Sequence, residues 1–316
     1  MIRQHPRLAA WLVVSVLALV FVFLGSGLDV DYVIPKRIAR LTAMLIGGVA
    51  IAWSSITFQT LTGNRILTPA IMGYEAVYLL LQALLVLFLG TYSTVLLGST
   101  GNFLLSVLLM LAYSWCIHRG LLRDGKSDVY FLLLIGLVLT MVISTLTQFV
   151  QLKVSPGEFS VLLGFSQASF NRAQPQELIF SGLLVTAVCL VGLKTLPTLD
   201  VLSLGRDQAM SLGVDYRRSV RLHLGLIAAL VAISTSLLGP TAFMGVFVAN
   251  ITYALARTFR HRVTLALGSA IAVALFIAAQ LLVEHVFNYK TTVGILINLV
   301  CGGYFLMLMV RSRGAP

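Results

Sequence analysis

The sequence predicts an all-α polytopic membrane protein with about ten transmembrane helices, and three observations carry that prediction. The chain is 59% hydrophobic and only 10% charged, with a mean hydropathy of +0.97, whereas soluble domains sit near half apolar and a quarter charged. Apolar runs long enough to cross a ~30 Å hydrocarbon core recur along the whole chain. The 22 Lys and Arg residues divide unevenly between alternate connecting segments, as they do in membrane proteins.

Ten spans follow from the apolar runs: residues 8–25, 39–62, 69–90, 103–118, 129–151, 177–195, 220–238, 241–256, 263–283 and 292–310. Each is read as a helix, because unpaired backbone amides are not tolerated against lipid. The first follows a basic start, "MIRQHPR", but its apolar core is longer than that of a signal peptide and lacks an A-x-A cleavage site, so a retained helix is expected. No stretch is left over for a soluble domain, and residues 1–316 are read as one transmembrane domain.

With the N-terminus inside, 16 of the 22 basic residues fall on the cytoplasmic side and 6 outside. This split puts both termini in the cytoplasm. The net charge of +11 is then a matter of topology, and nucleic acid is not expected as a partner. Cys116, Cys189 and Cys301 lie inside spans without metal-ligand or C-x-x-C spacing, so neither a zinc site nor a disulfide framework is predicted.

Residues 120–127, "GLLRDGKS", satisfy the phosphate-loop pattern G-x-x-x-x-G-K-[ST] letter for letter. That pattern cradles phosphates only between a buried strand and a helix. Here it joins two apolar spans, so a basic inside loop is expected instead. Gly164-Phe165-Ser166-Gln167-Ala168 lacks the second glycine of a nucleophile elbow, and no HExxH and no pair of intramembrane aspartates is present. An enzyme active site is therefore not predicted, and no catalytic, cofactor or metal residue is assigned on this chain.

Polar residues at membrane depth are Gln59, Glu75, Gln82, Gln148, Asn250, Gln280 and Asn298. Each is costly there and marks either a pathway or an interhelical pair. Glu75 lies six residues past Pro69, roughly 9 Å in at 1.5 Å per residue, and pairing with Arg65 is the favoured reading over an ion site. His223 is read as interfacial. Arg37 and Arg40 share one helix face at the outer start of the second span, where they snorkel to headgroups or face an acidic partner. The long outer segment 153–177 carries aromatic and polar groups suited to an anionic, aromatic solute or to an interfacial belt. Path lining is expected there, on the fifth span and at the start of the tenth span, with Gln148, Gln151, Phe165, Gln167, Phe170, Asn171 and Arg172 as the residues.

One charged patch interrupts the apolar pattern, residues 197–219 on the cytoplasmic side. Its core, "LSLGRDQAMSLGV", matches L-x-L-G-x-x-x-A-x-x-L-G-V. With "GPTAFMGVFVAN", "TVGILINLVCGGYFLMLMVR", "RIAR" and "GNRILTPAIMGYEAVYLLLQ", it resembles the permease family of ABC importers for iron-siderophores, haem and vitamin B12, over nearly the whole chain. "NRILTPAIMGYEAVYLL" and "ASFN" are similar to a siderophore branch of that family. Departures are Ala39 for proline in "RIAR", Ala249-Asn250 for Pro-His, Tyr304 where proline is common, and Val283-Glu284 where a third basic residue often stands.

The resemblance implies the type II ABC importer permease fold and ferric-siderophore import across the bacterial cytoplasmic membrane. Vitamin B12 or haem import is the alternative within the fold, and an ATP-independent secondary transporter the alternative outside it. It implies an ATPase dimer carrying ATP and Mg, a second and different permease chain, and a periplasmic or lipid-anchored binding protein. It assigns Leu204, Gly205, Arg206, Gln208, Ala209, Leu212 and Gly213 to ATPase coupling and Arg37 and Arg40 to binding-protein docking. Physically, Gly205 opens a short helix, Gly213 closes it in a left-handed cap, and Leu204, Ala209 and Leu212 are expected to fill a partner groove.

Overall fold

A computed structural model describes residues 6–25, 27, 29–90, 96–121, 129–241 and 243–313. Among them, every predicted span coincides with a helix. In chain order these are α1 (Pro6–Phe23), α2 (Val33–Thr62), a 3-10 turn (Pro69–Met72) leading into α3 (Tyr74–Leu89), α4 (Gly98–Leu121) and α5 (Val129–Gln151). The outer segment folds as α6 (Pro156–Ser166), followed by α7 (Pro175–Lys194). Two short helices come next, α8 (Leu196–Leu202) and α9 (Arg206–Ser211). The chain closes with α10 (Tyr216–Leu238), α11 (Met244–Ala256), α12 (His261–His285) and α13 (Val293–Arg313). Six of the helices are long and apolar enough to cross a membrane by that measure alone, and the apolar helices at Arg7–Phe23, Tyr74–Leu89, Met244–Ala256 and Val293–Met307 are shorter.

The core is built around α2, which packs against α10, α11 and α12. Lipid tails are as apolar as leucine, so helices in a bilayer associate through close backbone approach at small residues. Gly47 and Gly48 provide it. A Cβ on Gly48 would lie 3.1 Å from the Val273 amide nitrogen of α12, and one on Gly47 would meet the buried Leu238 of α10. Gly48→Ala is therefore expected to destabilise the fold by roughly 1–3 kcal/mol, the usual cost of overpacking, seen as a lowered thermal midpoint in detergent.

Two helices are broken inside this core. Gly73, at φ 88°, separates the 3-10 turn from α3, and Gly239, at φ 95°, ends α10. Leu238 lies against Gly47, about 21 Å from the start of α2, so the turn after α10 falls near the middle of that long helix. Irregular backbone there must be buried in protein. The structure satisfies this directly: the Glu75 carboxylate accepts the Thr241 amide at 2.9 Å, just before the start of α11. The expected Glu75–Arg65 pair does not form. Arg65 lies over the Tyr253 ring, 5.0 Å from its centroid, and Glu75 reaches inward to stitch the two breaks together.

Segment 153–177 is less irregular than its composition predicts. Ser155 and Glu158 form a reciprocal capping box that starts α6, and Glu177 accepts the Gln174 amide at the start of α7. Between them runs an extended stretch, residues 167–174. The "GLLRDGKS" segment falls almost wholly outside the described residues.

Candidate functional site

The charged patch folds as two short helices joined at Gly205. Gly205 adopts φ 99° and Gly213 φ 81°, both left-handed. At the end of α9 the Gly213 amide donates to the Met210 carbonyl at 3.0 Å and the Val214 amide to the Ala209 carbonyl at 3.1 Å. This paired arrangement is the Schellman cap, as the spacing of "LGRDQAMSLG" predicts. Leu204 and Leu212 are exposed, as are Arg206 and Gln208. Ala209 is not: it is fully buried against the body of the protein. Its role in filling a partner groove is corrected accordingly, and Met210, 46% exposed, stands on the outer face in its place.

Three residues outside the sequence assignment tie this patch to the core. Asp200 of α8 accepts the backbone amide of His261 at 2.9 Å and its ring Nδ1 at 2.5 Å. A carboxylate only accepts, which puts the ring proton on Nδ1. His261 Nε2 then meets the Thr60 hydroxyl of α2 at 2.8 Å. Asp200 thus serves the first orphan amide of α12 from another element, and one imidazole joins α8, α12 and α2. The sequence held a faint trace of it, an aspartate inside an apolar heptad and a histidine opening a span, but their separation of 61 residues hid the pairing.

At the outer end, Arg37 lies one turn inside α2, because α2 begins at Val33 rather than at residue 39. Its guanidinium donates to the Phe21 and Leu24 carbonyls, both at 2.6 Å, and lies 3.5 Å from the Glu284 carboxylate. Arg40 meets the same carboxylate at 3.1 Å, as does Gln280 at 2.7 Å. Arg37 is buried at 9% exposure, so it serves the joint of α1, α2 and α12 and is not presented for docking. Arg40 is the more open of the two, its side chain 24% exposed. Glu284, the departure from the family's basic residue, is what closes this joint.

The expected path residues divide between different places. Residues 163–172, the end of α12 and the start of α13 border a cavity of about 540 Å³. Gln167, Phe170, Asn171 and Arg172 border it, and Thr292 donates to the Gln167 side chain at 3.4 Å. Phe170 is nevertheless core: it is 2% exposed and stacks edge-on against Phe276 at 4.9 Å. Arg172 spends its guanidinium on the Gln167 carbonyl and on the Leu238 carbonyl at 3.2 Å, and lies over the Phe165 ring. It holds the extended stretch onto the broken end of α10. Phe165 borders a second chamber of about 260 Å³ with Tyr78 and Glu177, and Arg172 lines both spaces. Gln148 and Gln151 lie on α5, a largely exposed helix, and border neither space.

The departures at the other motifs are used structurally. Asn250 donates to the Arg65 and Val246 carbonyls at 3.0 and 2.9 Å. Tyr304 stacks edge-on against Phe247, holding α13 to α11.

A helical domain with long apolar helices, two of them broken inside the core, a cavity beside the breaks and a capped short helix pair fits the class of transport permeases. The chain matches the FecCD transport family over residues 8–311 and belongs to that family. It is 33% identical, over 98% of its own length and 99% of the relative's, to the petrobactin import system permease protein YclO of Bacillus subtilis. It is 32% identical to FatC, a petrobactin import system permease protein of Bacillus anthracis, over 89% and 79% of the two chains. The same fold occurs in a metal-chelate type ABC transporter in an inward-facing conformation, with a TM-score of 0.84 at 18% identity over 96% and 98% of the chains.

Proposed function

We propose that this chain is the transmembrane permease subunit of an ATP-driven importer that carries a ferric siderophore across the bacterial cytoplasmic membrane. The observation that carries the reading is the likeness to YclO over almost the full length of both chains, and a petrobactin-like ferric siderophore is the favoured cargo. The chain acts as one transmembrane domain with both termini cytoplasmic. It pairs with a second, different permease chain, receives cargo from a periplasmic or lipid-anchored binding protein at the outer face, and is driven by an ABC ATPase dimer that holds the ATP and Mg.

In the mechanism, α9 presents Leu204, Met210 and Leu212 with Arg206 and Gln208 to a groove of the ATPase. Gly205 and Gly213 fix the angle of that helix. Asp200 passes its displacement to α12 and, through His261, to α2. At the outer face the cavity around Gln167, Asn171 and the start of α13 receives the complex, with Arg40 at the rim as a docking contact. The decisive experiment is ATP-dependent uptake of radioactive iron, presented as several ferric siderophores, in cells with and without the gene. Loss of uptake for one siderophore supports the reading and names the cargo. Unchanged iron uptake with loss of haem or cobalamin uptake overturns the cargo and keeps the importer, and uptake that survives removal of the ATPase overturns the importer.

A further inference from the structure

The cytoplasmic half of the α4–α10 pair carries a groove that no part of the transport reading uses. Its volume is about 680 Å³, far above the ~30 Å³ share of a single water. Trp115 and Arg119 of α4 form one side, Arg221 and Gly225 of α10 the other, and Ser114 and His118 line its depth. The ion pairs among the described residues involve neither Arg119 nor Arg221. Arg119 lies over the Trp115 ring at 5.0 Å, and the Arg221 Nε donates only a long bond to the Arg217 carbonyl at 3.4 Å. His118 Nδ1 meets the Ser114 hydroxyl at 3.3 Å, while its Nε2 is buried without a protein partner.

The groove also has an apolar exit. Leu104, Leu108, Leu111 and Trp115 fall on one stripe of α4 at helical spacing. Leu108 is 63% and Trp115 60% exposed, so the stripe runs from the arginines toward the bilayer centre along an uncovered helix face. The floor is open at Gly225, where a side chain would meet nothing within 4 Å. Two guanidiniums at the head, an indole at the interface and an aliphatic track behind match one ligand chemistry, a phosphate monoanion on a diacyl chain.

We propose that this groove is a binding site for one anionic phospholipid of the inner leaflet, its phosphate held by Arg119 and Arg221 and one acyl chain laid along Leu111, Leu108 and Leu104. The leaflet rests on the orientation proposed above; the binding itself does not depend on cargo or ATPase, so its failure is separable from failure of the import reading. The site would make the packing of α4 on α10 sensitive to the charge of the surrounding membrane.

The test uses the full chain purified in a neutral detergent and titrated with mixed micelles of phosphatidylglycerol or of phosphatidylcholine, read by native mass spectrometry and thermal midpoint. Phosphatidylglycerol is expected to remain bound and to raise the midpoint, with phosphatidylcholine about 25-fold weaker, because its choline cation offsets the net charge that each of the two arginines reads for about fivefold. Arg119→Gln with Arg221→Gln should abolish that preference. Gly225→Leu should block binding by filling the floor while both arginines stay, and it stands as the independent variant should the double substitution fail to fold. Equal retention of the two lipids, or phosphatidylglycerol binding unchanged in Gly225→Leu, overturns the proposal. A midpoint raised equally by soluble glycerol phosphate overturns the membrane as the source.

Discussion

Asp200→Ala is expected to reduce siderophore uptake by about 10- to 100-fold while leaving the chain inserted and the assembled importer able to hydrolyse ATP. The magnitude follows from the bonds removed. Asp200 makes two contacts to His261 as a charged acceptor, and charged hydrogen bonds contribute roughly 1.5–3 kcal/mol, with each 1.4 kcal/mol worth about tenfold. Because Asp200 is partly exposed, its side chain 40% accessible, the lower half of that range is the better expectation for stability. The consequence for transport is larger, since Asp200 ties α8 to α12 through the His261 amide and, through the imidazole, to Thr60 of α2. Asp200→Asn separates the roles: an amide oxygen still accepts from His261 and should restore part of the uptake. The measurement is the ratio of iron imported to ATP hydrolysed in proteoliposomes. A parallel fall of both, with the ratio unchanged, would show that Asp200 only supports folding.

Glu284→Ala is expected to be the most destabilising single change at the outer face, by about 3 kcal/mol, through an uncompensated charge. Removing one partner of a buried ion pair costs roughly 3–5 kcal/mol because the other charge stays behind. Here the two carbonyls on Arg37 soften the loss, which places the expectation at the low end. The readout is the thermal midpoint of the purified chain and the amount inserted in the membrane. Glu284→Gln retains an acceptor for Arg40 and should fall between wild type and alanine. A midpoint for Glu284→Ala within about 1 °C of wild type, on a scale where 1 kcal/mol moves larger chains by about 2–4 °C, would refute the buried joint.

Apolar length and the distribution of basic residues were enough to foresee where the helices lie, because both are local properties of the chain. The cap of α9 was equally legible: two glycines flanking a short helix leave little choice of backbone, and Gly205 and Gly213 adopt the left-handed conformations their spacing predicts. What the sequence hid are long-range partners. Glu75 was read as shallow because counting along a straight helix measures depth from the last cytoplasmic residue, whereas the chain re-enters through a 3-10 turn before α3 begins. Arg37 was read as a docking residue from the resemblance of "RIAR", its place near a span end leaving snorkelling or an acidic partner open. Its burial depends on the α1–α2 turn, whose two carbonyls a sequence cannot bring to it. Phe170 and Ala209 were misread for one reason: each lies in a polar stretch whose composition suggests exposure, and each is turned inward by a contact the pattern does not encode.

One consequence of the continuous α12 concerns leverage. The helix has the Asp200–His261 joint at its first residue and the Glu284 joint one residue from its last, about 35 Å apart at 1.5 Å per residue. Pivoting about Gly48, against which Val273 is pressed, it behaves as a beam with its fulcrum near the centre. A tilt of about 5° then carries the two ends roughly 1.5 Å in opposite directions. A small push at the Asp200 joint would in this way be returned as a pull at the Glu284 joint, with no need for the apolar core between them to rearrange.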